Sequence, residues 1–228
     1  MRYKALIFCV IIIHSVLSLS AQNRNDRFHG FGSNKSFQIH GYFGPLISLS
    51  NVEGAMALDA GATAGFVINN KVFVGIYGQK LYTKVPRTDL AIVGYPTYSD
   101  GKIGMIQAGG VLGYIHKTNK ALNWGLSGSA GIGRIDLLAL PPTFQLDEKI
   151  YDDKVIVLIP KLFLEMNMTR WFKINVSAGY RYVGMINGTY INPAGETIPT
   201  FVQSDYNKPD FSFSLLFGSF GFHSYILK

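Results

Sequence analysis

The sequence predicts an all-β protein, an eight-stranded antiparallel up-and-down transmembrane β-barrel that follows an N-terminal signal peptide. Three observations support this fold class. The first residues have the three parts of a secretory leader, and the rest of the chain contains eight runs in which apolar and polar side chains alternate. The segments between these runs are alternately long and short. Alternation with period two predicts strands, and regular switching between turns and loops is typical of an up-and-down barrel.

The N-terminal segment has the organisation of a secretory signal peptide. Two of its first four residues are basic, the stretch to Leu19 is almost wholly apolar, and small residues end it. A membrane-spanning helix would need roughly 20 apolar residues, which is more than this run provides. We therefore predict a signal peptide over residues 1–21, cleaved after Ala21, then a short periplasmic segment over residues 22–35 and a barrel domain over residues 36–228.

Composition limits the kinds of site that the exported chain can carry. The single cysteine, Cys9, lies inside the leader, so the mature chain is predicted to have no disulfide and no cysteine metal site. The formal charge of +7 falls to +5 when Arg2 and Lys4 are removed with the leader. The remaining basic residues are scattered, which argues against nucleic-acid binding.

Eight alternating runs after the leader are predicted to be strands, because successive side chains of a strand point to opposite faces. No segment of 15 residues after the leader has a convincing helical period, and glycine occurs throughout the chain. The predicted strands are Phe37–Leu46, Ala57–Asn69, Val72–Thr83, Lys102–Ile115, Leu122–Ile135, Val155–Met168, Phe172–Met185 and Asp210–Phe222.

The connections alternate in length along the chain. This pattern predicts short periplasmic turns, long external loops and both termini on the periplasmic side. A sandwich with Greek-key connections has no reason to keep such a strict alternation. The short connections are residues 69–71, 117–120 and 169–171, and the longer ones are residues 47–56, 84–101, 136–154 and 186–209.

The segment from Pro160 to Met168 raises the question of which strand face meets water. One parity carries only apolar side chains, those of Leu162, Leu164, Met166 and Met168, while the other carries Lys161, Phe163, Glu165 and Asn167. The apolar parity would face the core of a soluble sheet but the lipid around a membrane barrel. Across the chain the polar parity is rich in glycine, which suits a narrow lumen better than a solvent-exposed face. We therefore predict that the apolar parity faces lipid.

Two strands leave local questions open. The parity of Val72–Thr83 depends on whether the turn that begins at Asn69 has two residues or three. The alternation in the last strand breaks at Leu215–Leu216, where we expect a β-bulge.

Charged and amide side chains on the polar parity are predicted to form a structural network inside the barrel. Glu165 falls opposite Asn175 and diagonal to Lys173 in the predicted hairpin, within reach of an ion pair. A gated polar path is the alternative interpretation. An eight-stranded barrel is filled by its own side chains, which favours internal ion pairs. The predicted lumen network consists of Asp59, Gln107, Lys161, Glu165, Lys173 and Arg181.

The sequence shows no convincing catalytic constellation. By the predicted topology His116 and His223 lie at the periplasmic rim and His29 lies in the leading segment, so His40 alone falls within a strand. No Ser-His-Asp triad forms from this pattern. Two glycine-rich segments, residues 108–113 and 128–133, lie inside predicted strands. A phosphate-binding loop would lie between a strand and a helix, so these segments do not predict one. We predict no catalytic residue, no cofactor and no metal site.

Most acidic residues are predicted to lie in the external loops as solvated charges. Their spacing matches no calcium loop. Aromatic residues such as Tyr95, Tyr98 and Phe201 make the loops a candidate recognition surface, since function concentrates on loops held by a rigid scaffold. The loop acids are Asp100, Asp147, Glu148, Asp152, Asp153, Glu196, Asp205 and Asp210.

With these elements in place, the chain resembles the small outer-membrane β-barrel proteins found widely in Bacteroidota. The matching stretches are residues 65–78, 113–120 and 168–181, which look like the hairpin turns of that group. The likeness covers most of the mature chain. It implies an outer-membrane location and supplies no catalytic residues.

We therefore expect a non-enzymatic outer-membrane barrel with a plugged polar lumen, which serves envelope structure or binds a partner through its long loops. The expected partners are outer-membrane lipid and a protein or ligand at the external loops, with no nucleic acid, and the expected state is a monomer. Two alternatives stay open: a lipid-modifying enzyme on the same barrel, and a soluble secreted binding protein of lipocalin type.

Overall fold

The computed structural model describes residues 38–87, 101–116, 121–139, 148–191 and 196–220. The predicted signal peptide and periplasmic segment lie outside these residues and stay predictions. In chain order the strands are β1 (Ile39–Val52), β2 (Ala55–Ile68), β3 (Val72–Leu81), β4 (Val85–Arg87), β5 (Gly101–His116), β6 (Leu122–Ala139), β7 (Glu148–Asn167), β8 (Phe172–Gly184), β9 (Thr189–Ile191), β10 (Thr197–Pro199) and β11 (Lys208–Gly218).

Eight long strands form a closed antiparallel barrel. Each long strand pairs with the next one along the chain, including β3 with β5, and β11 pairs with β1 to close the ring. The predicted eight-stranded up-and-down barrel is therefore confirmed. The three short strands are additions: β4 extends the wall beside β5, while β9 and β10 form a separate two-stranded sheet. No helix among the described residues is long and apolar enough to cross a membrane.

The first hairpin differs from its prediction. We expected β1 to end at Leu46 and a long loop to follow, but β1 continues to Val52 and a tight turn at Glu53–Gly54 leads into β2. Both turn residues have positive φ, 49° and 82°, the geometry of the hairpin turn that matches strand twist. The predicted long loop at residues 47–56 is therefore wrong. Its turn-forming composition obscured a strand in which serines face inward and Ile47 and Leu49 face outward.

The hairpin of β6 and β7 is longer than predicted. The expected loop over residues 136–154 is wrong at both ends, because β6 continues to Ala139 and β7 begins at Glu148; residues 140–147 lie outside the described residues. A register shift between Leu137 and Leu138 lets the two strands stay paired to their ends. Asp152 and Asp153, which we expected in a loop, therefore lie within β7.

The structure answers both open questions of parity. The turn before β3 has three residues and contains Asn69 and Asn70 with φ of 51° and 56°, so Phe73, Tyr77 and Gln79 point inward. β11 pairs continuously with β8, so the expected bulge at Leu215–Leu216 is wrong. Leu216 is an apolar residue that occupies a lumen position.

The outward face of the barrel is apolar over the middle of its height. In the segment that begins at Pro160, Leu162, Leu164 and Met166 point outward and are 54%, 51% and 45% exposed, whereas Phe163 and Glu165 are buried inside. The apolar parity thus points away from the barrel axis, and the glycine-containing parity lines the lumen. We call the end with Glu53–Gly54 and the long connections the loop end, and the opposite end the turn end.

The polarity of the two faces reverses toward the loop end. There the outward positions carry charges such as Lys80, Arg134 and Lys154, and the interior is apolar. We call this interior the loop-end cluster. Its members are Val52, Ala57, Leu81, Val85, Ile103, Met105, Ile135, Leu137, Val155, Val157, Ile159, Val183, Phe201 and Tyr206.

Candidate functional site

The most distinctive chemical feature of the barrel is a group of four charged side chains in the lumen, of which Asp59, Arg181 and Asp210 are buried and Lys161 is 10% exposed. The Arg181 guanidinium donates to Asp59 and to Asp210, where the Nη2–Oδ2 distance is 2.9 Å. The Lys161 ammonium lies 2.8 Å from the other Asp210 oxygen and also contacts the Ser212 hydroxyl. Two acids and two bases cancel formally, so a buried neutral network replaces what would otherwise be costly isolated charges. We call these four residues the lumen quartet.

Strand parity and one glycine bring the quartet together. Asp59, Lys161, Arg181 and Asp210 occupy inward positions of four different strands. Gly179 pairs with Lys161 on one side and with Asp210 on the other. Because Gly179 carries no side chain, the long Lys161 side chain can cross β8 to reach Asp210. A Cβ at position 179 would lie 2.8 Å from Lys161 Cγ and would also collide with the Pro160 carbonyl oxygen.

A second buried ion pair lies closer to the turn end. Lys173 Nζ and Glu165 Oε1 are 2.6 Å apart, and both side chains are almost completely buried. Glu165 pairs in register with Asn175, so Lys173 reaches it diagonally across the β7–β8 hairpin. The Lys173 ammonium also lies 4.2 Å from the centre of the Phe220 ring, an aromatic face that favours a cation.

Five of the six residues predicted for the lumen network take part in ion pairs, and the sixth does not. Gln107 is buried and pairs in register with Gln79, but its amide has no hydrogen-bond partner among the described residues. The structure adds Asp210, which the prediction puts at the start of the last strand and also counts among the loop acids. Its assignment to the loop acids is wrong, because Asp210 lies within β11 and is fully buried. Its alternation with Ser212 and Ser214, against outward Phe211 and Phe213, was the signal that could have identified it.

An internal cavity of about 80 Å³ lies next to both ion-pair groups. Lys161 and Glu165 line it, together with hydroxyl and amide side chains such as Thr63, Ser127 and Asn175. This volume has room for several water molecules, and the lining offers them hydrogen-bond partners.

The turn end of the lumen is filled by aromatic and aliphatic side chains. Phe220, which follows β11, is buried beneath the cavity, and its backbone N–H donates to the Arg170 carbonyl at 3.2 Å. Edge-to-face contacts link Phe73 to Tyr42 and to Phe163. We call this layer the turn-end cluster; it consists of Tyr42, Val67, Phe73, Ile115, Phe163, Leu216 and Phe220.

The loop end is filled by the connection between β8 and β11. Its residues Phe201 and Tyr206 are buried in the loop-end cluster with their rings in edge-to-face contact, so the prediction that Phe201 belongs to an exposed recognition surface is wrong. The Tyr206 hydroxyl donates to Glu53 at 3.1 Å, and the Asp153 carboxylate accepts the backbone N–H groups of Asn187 and Gly188, each at 2.7 Å. The described part of the barrel thus places apolar layers on both sides of the lumen quartet.

Removal of the Tyr206 ring should detach this connection without unfolding the barrel. We expect Tyr206→Ala to raise the rate at which chymotrypsin or proteinase K cuts between β8 and β11 by about tenfold or more, because local opening controls cleavage. The measurement is the appearance of the two fragments by mass spectrometry. Val202→Ala is the matched control, since Val202 belongs to the same connection but is 45% exposed. Equal cleavage of both variants would contradict the docked arrangement.

The histidines do not assemble a catalytic site among the described residues. His40 lies at the turn end of β1, and its two ring nitrogens are buried with no hydrogen-bond partner in the described part of the chain. His116 contacts the Trp124 ring with centroids 4.8 Å apart, while His29 and His223 lie outside the described residues. Within the described ranges no group of three or more histidine, cysteine, aspartate or glutamate residues is arranged to hold a metal ion.

Comparison with known proteins gives structural neighbours alone. No protein-family model matches the sequence, and no curated protein matches it. The neighbours include Neisserial surface protein A, with TM-score 0.45, 12% identity and coverage of 81% of this chain and 99% of that one. Ail of Yersinia pestis, in complex with the heparin analogue sucrose octasulfate, has TM-score 0.40, 12% identity and coverage of 79% and 95%. The outer membrane protease OmpT from Escherichia coli has TM-score 0.36, 9% identity and coverage of 82% and 98%. Such low identities and TM-scores assign no function to this chain.

Proposed function

We propose that this protein is a non-enzymatic outer-membrane barrel that supports the envelope or binds a partner through its loop end. One observation carries the proposal: a closed barrel whose outward face is apolar around the ring while its lumen holds a neutral charged network. A soluble barrel of the lipocalin type would need the opposite arrangement, with polar side chains outside. In a membrane every backbone polar group must be paired within the protein, and a closed barrel has no unpaired strand edge.

The height of the apolar face fits a bilayer. Outward side chains are apolar or glycine from Leu122 to Ile132 in β6, from Ile156 to Met166 in β7, and apolar or tyrosine along β8. Each of these stretches is about 11 residues long, and a tilted strand needs about 9–11 residues to cross the hydrocarbon layer. Beyond Ile132 and Ile156 the next outward residues are charged, so these strands have a defined membrane boundary on the loop side.

Aromatic side chains lie near both boundaries of the apolar face. At the turn end Phe217 stacks against Phe172 and Trp171 and also contacts Phe43. Toward the loop end Tyr180 and Tyr182 lie side by side with ring centroids 4.7 Å apart. Aromatic residues concentrate at both interfaces of membrane barrels, where a ring can be apolar on one side and hydrated on the other.

The filled lumen directs the proposed role to the loop end. The lumen quartet lies between the loop-end cluster and the turn-end cluster, and eight strands enclose too little space for an aqueous channel. The β6–β7 hairpin, in contrast, extends past the apolar face and carries exposed charges such as Lys149 and Asp152, which are 3.1 Å apart. A partner would therefore meet the loop end, which the barrel holds on a rigid scaffold.

The proposal is tested by the behaviour of the purified protein in detergent and bilayers. We expect the unheated protein to migrate differently from the heated protein on a denaturing gel, and membranes to retain it after washing at high pH. In a planar bilayer of phosphatidylcholine it should produce no conductance steps. Release from washed membranes without detergent would contradict the membrane barrel, and regular conductance steps would contradict the filled lumen.

A further inference from the structure

A row of basic side chains marks the loop-end boundary of the apolar face. Arg134 follows Ile132 on the outward parity of β6, and Lys154 is the outward residue of β7 next to Ile156. Lys80 is the corresponding outward residue of β3, two positions beyond Gly78. The register joins Lys80 to Ile106, Ile106 to Arg134 and Arg134 to Lys154, so the basic residues share one line across four neighbouring strands. We call Lys80, Arg134 and Lys154 the basic row.

The basic row keeps a positive charge after its local ion pairs are counted. Arg134 Nε lies 2.8 Å from Asp136 Oδ1, which neutralises that guanidinium in part. Lys80 and Lys154 form no ion pair within the described part of the chain and are exposed. Three strand spacings separate Lys80 from Lys154, about 14 Å between backbones. The two ends of the row can therefore contact two anionic groups of one ligand that are separated by about the same distance.

An apolar groove begins beside Lys80 and runs toward the turn end. Its volume is about 590 Å³, and its floor consists of small outward residues on β1, β2 and β3. Ile76 borders one side, and Phe43 and Phe217 border another. Because Gly78 lines the groove and Lys80 is the next outward residue of β3, Lys80 lies just beyond the loop end of the groove. The floor residues include Pro45, Ala62, Ala64 and Gly78.

We propose that this face binds a lipid of the outer leaflet that carries two phosphates and several acyl chains. One acyl chain fills the groove, and the phosphates contact Lys80 and the Arg134–Lys154 end of the basic row. The groove matches hydrocarbon because it lies within the apolar face, and the basic row matches phosphate by charge and by its place at the membrane boundary. This inference rests on the proposed membrane location and adds a lipid class and a site to it.

Native mass spectrometry of the full mature chain in a zwitterionic detergent tests the inference. The probes are bis-phosphorylated lipid A, its fully dephosphorylated form and phosphatidylcholine. We expect the protein to retain one molecule of the bis-phosphorylated lipid and to prefer it over both other lipids. The variant Lys80→Gln/Lys154→Gln should bind this lipid about tenfold more weakly or worse, because each cation near an anionic headgroup contributes to affinity. The control variant Lys71→Gln/Arg170→Gln removes two exposed basic residues at the turn end and should retain wild-type binding.

A second pair of variants tests the groove. Gly78→Leu fills the groove, since a Cβ there meets Ala108 Cβ at a tolerable 4.0 Å, and should weaken lipid retention. Gly128→Leu is the control, because its Cβ points outward with nothing within 4 Å and lies outside the groove. Equal retention of phosphorylated and dephosphorylated lipid would overturn the inference. Wild-type lipid retention by Lys80→Gln/Lys154→Gln, or by Gly78→Leu, would also overturn it. Loss of a dimer peak in Gly78→Leu without loss of lipid would also overturn it, by assigning the groove to a second copy of the chain.

The test separates failure of this inference from failure of the proposed function. Every variant is first run heated and unheated on a denaturing gel. A protein that shifts normally but shows no preference for the phosphorylated lipid keeps its membrane barrel and loses this site. A wild-type protein that never shifts would overturn both.

Discussion

Replacement of Arg181 by glutamine is expected to lower the free energy of unfolding of the barrel by about 3–5 kcal/mol. Arg181 is 1% exposed and contacts both Asp59 and Asp210, which are equally buried. Without its guanidinium, two buried carboxylates share the single cation of Lys161. An unpaired charge in the lumen costs far more than the intact pair contributes, because the lumen replaces little of the lost hydration. The measurement is a urea titration of the protein folded in phosphatidylcholine vesicles, followed by the folded and unfolded gel bands.

Two further variants separate charge balance from loss of a large side chain. Asp59→Asn/Arg181→Gln restores a neutral lumen and should recover most of the lost stability. Arg134→Gln removes an exposed arginine from an outward ion pair and should change stability by less than about 1 kcal/mol. The explanation would fail if the double variant were less stable than Arg181→Gln, or if Arg181→Gln unfolded at the wild-type urea concentration.

Substitution of Gly44 by alanine is expected to destabilise the barrel by about 3 kcal/mol or more, through the seam that closes it. Gly44 faces inward on β1, where β1 meets β11. A Cβ at this position would collide with the Leu215 carbonyl oxygen and lie 2.8 Å from its carbonyl carbon and 3.2 Å from Leu216 Cα. These are backbone atoms, so one strand would have to move. The same urea titration measures the effect.

Gly41→Ala is a control on the same strand. A Cβ at Gly41 points outward and has no heavy atom within 4 Å, so the substitution should leave the unfolding midpoint nearly unchanged. Both variants add the same methyl group to β1, and both make the same change to the conformational freedom of the unfolded chain. A difference between them therefore reports the close approach of β1 and β11. If both variants unfolded alike, the tight seam would be wrong.

The sequence could predict one group of buried ion pairs better than the other. It indicated the pair of Glu165 and Lys173 but not the partners of Asp210. Glu165 and Lys173 lie in one hairpin, where a short turn sets the register, so the sequence alone indicated their diagonal contact. Asp210 meets Lys161 and Arg181 only after β11 has joined β8 at the end of the chain. Its position next to a long loop concealed its inward parity.

The sequence by itself determined the strand count, the antiparallel up-and-down order, the lumen parity and most candidate network residues. These properties are local, because period-two alternation and turn composition depend on neighbours along the chain. It misplaced the first hairpin at Glu53–Gly54, where turn-forming residues continue a strand. Only the tertiary structure decided that Phe201 and Tyr206 enter the loop end of the barrel, since these two residues follow no repeating pattern.

The basic row likewise depends on barrel closure. Lys80, Arg134 and Lys154 are far apart in sequence, and each looks like an ordinary exposed charge in its own strand. The register across β3, β5, β6 and β7 places them on one line, at the height where the outward face changes from apolar to charged. The sequence of a strand indicates which face of the barrel each side chain occupies. The height of a side chain relative to those on other strands is set by the stagger that closes the barrel.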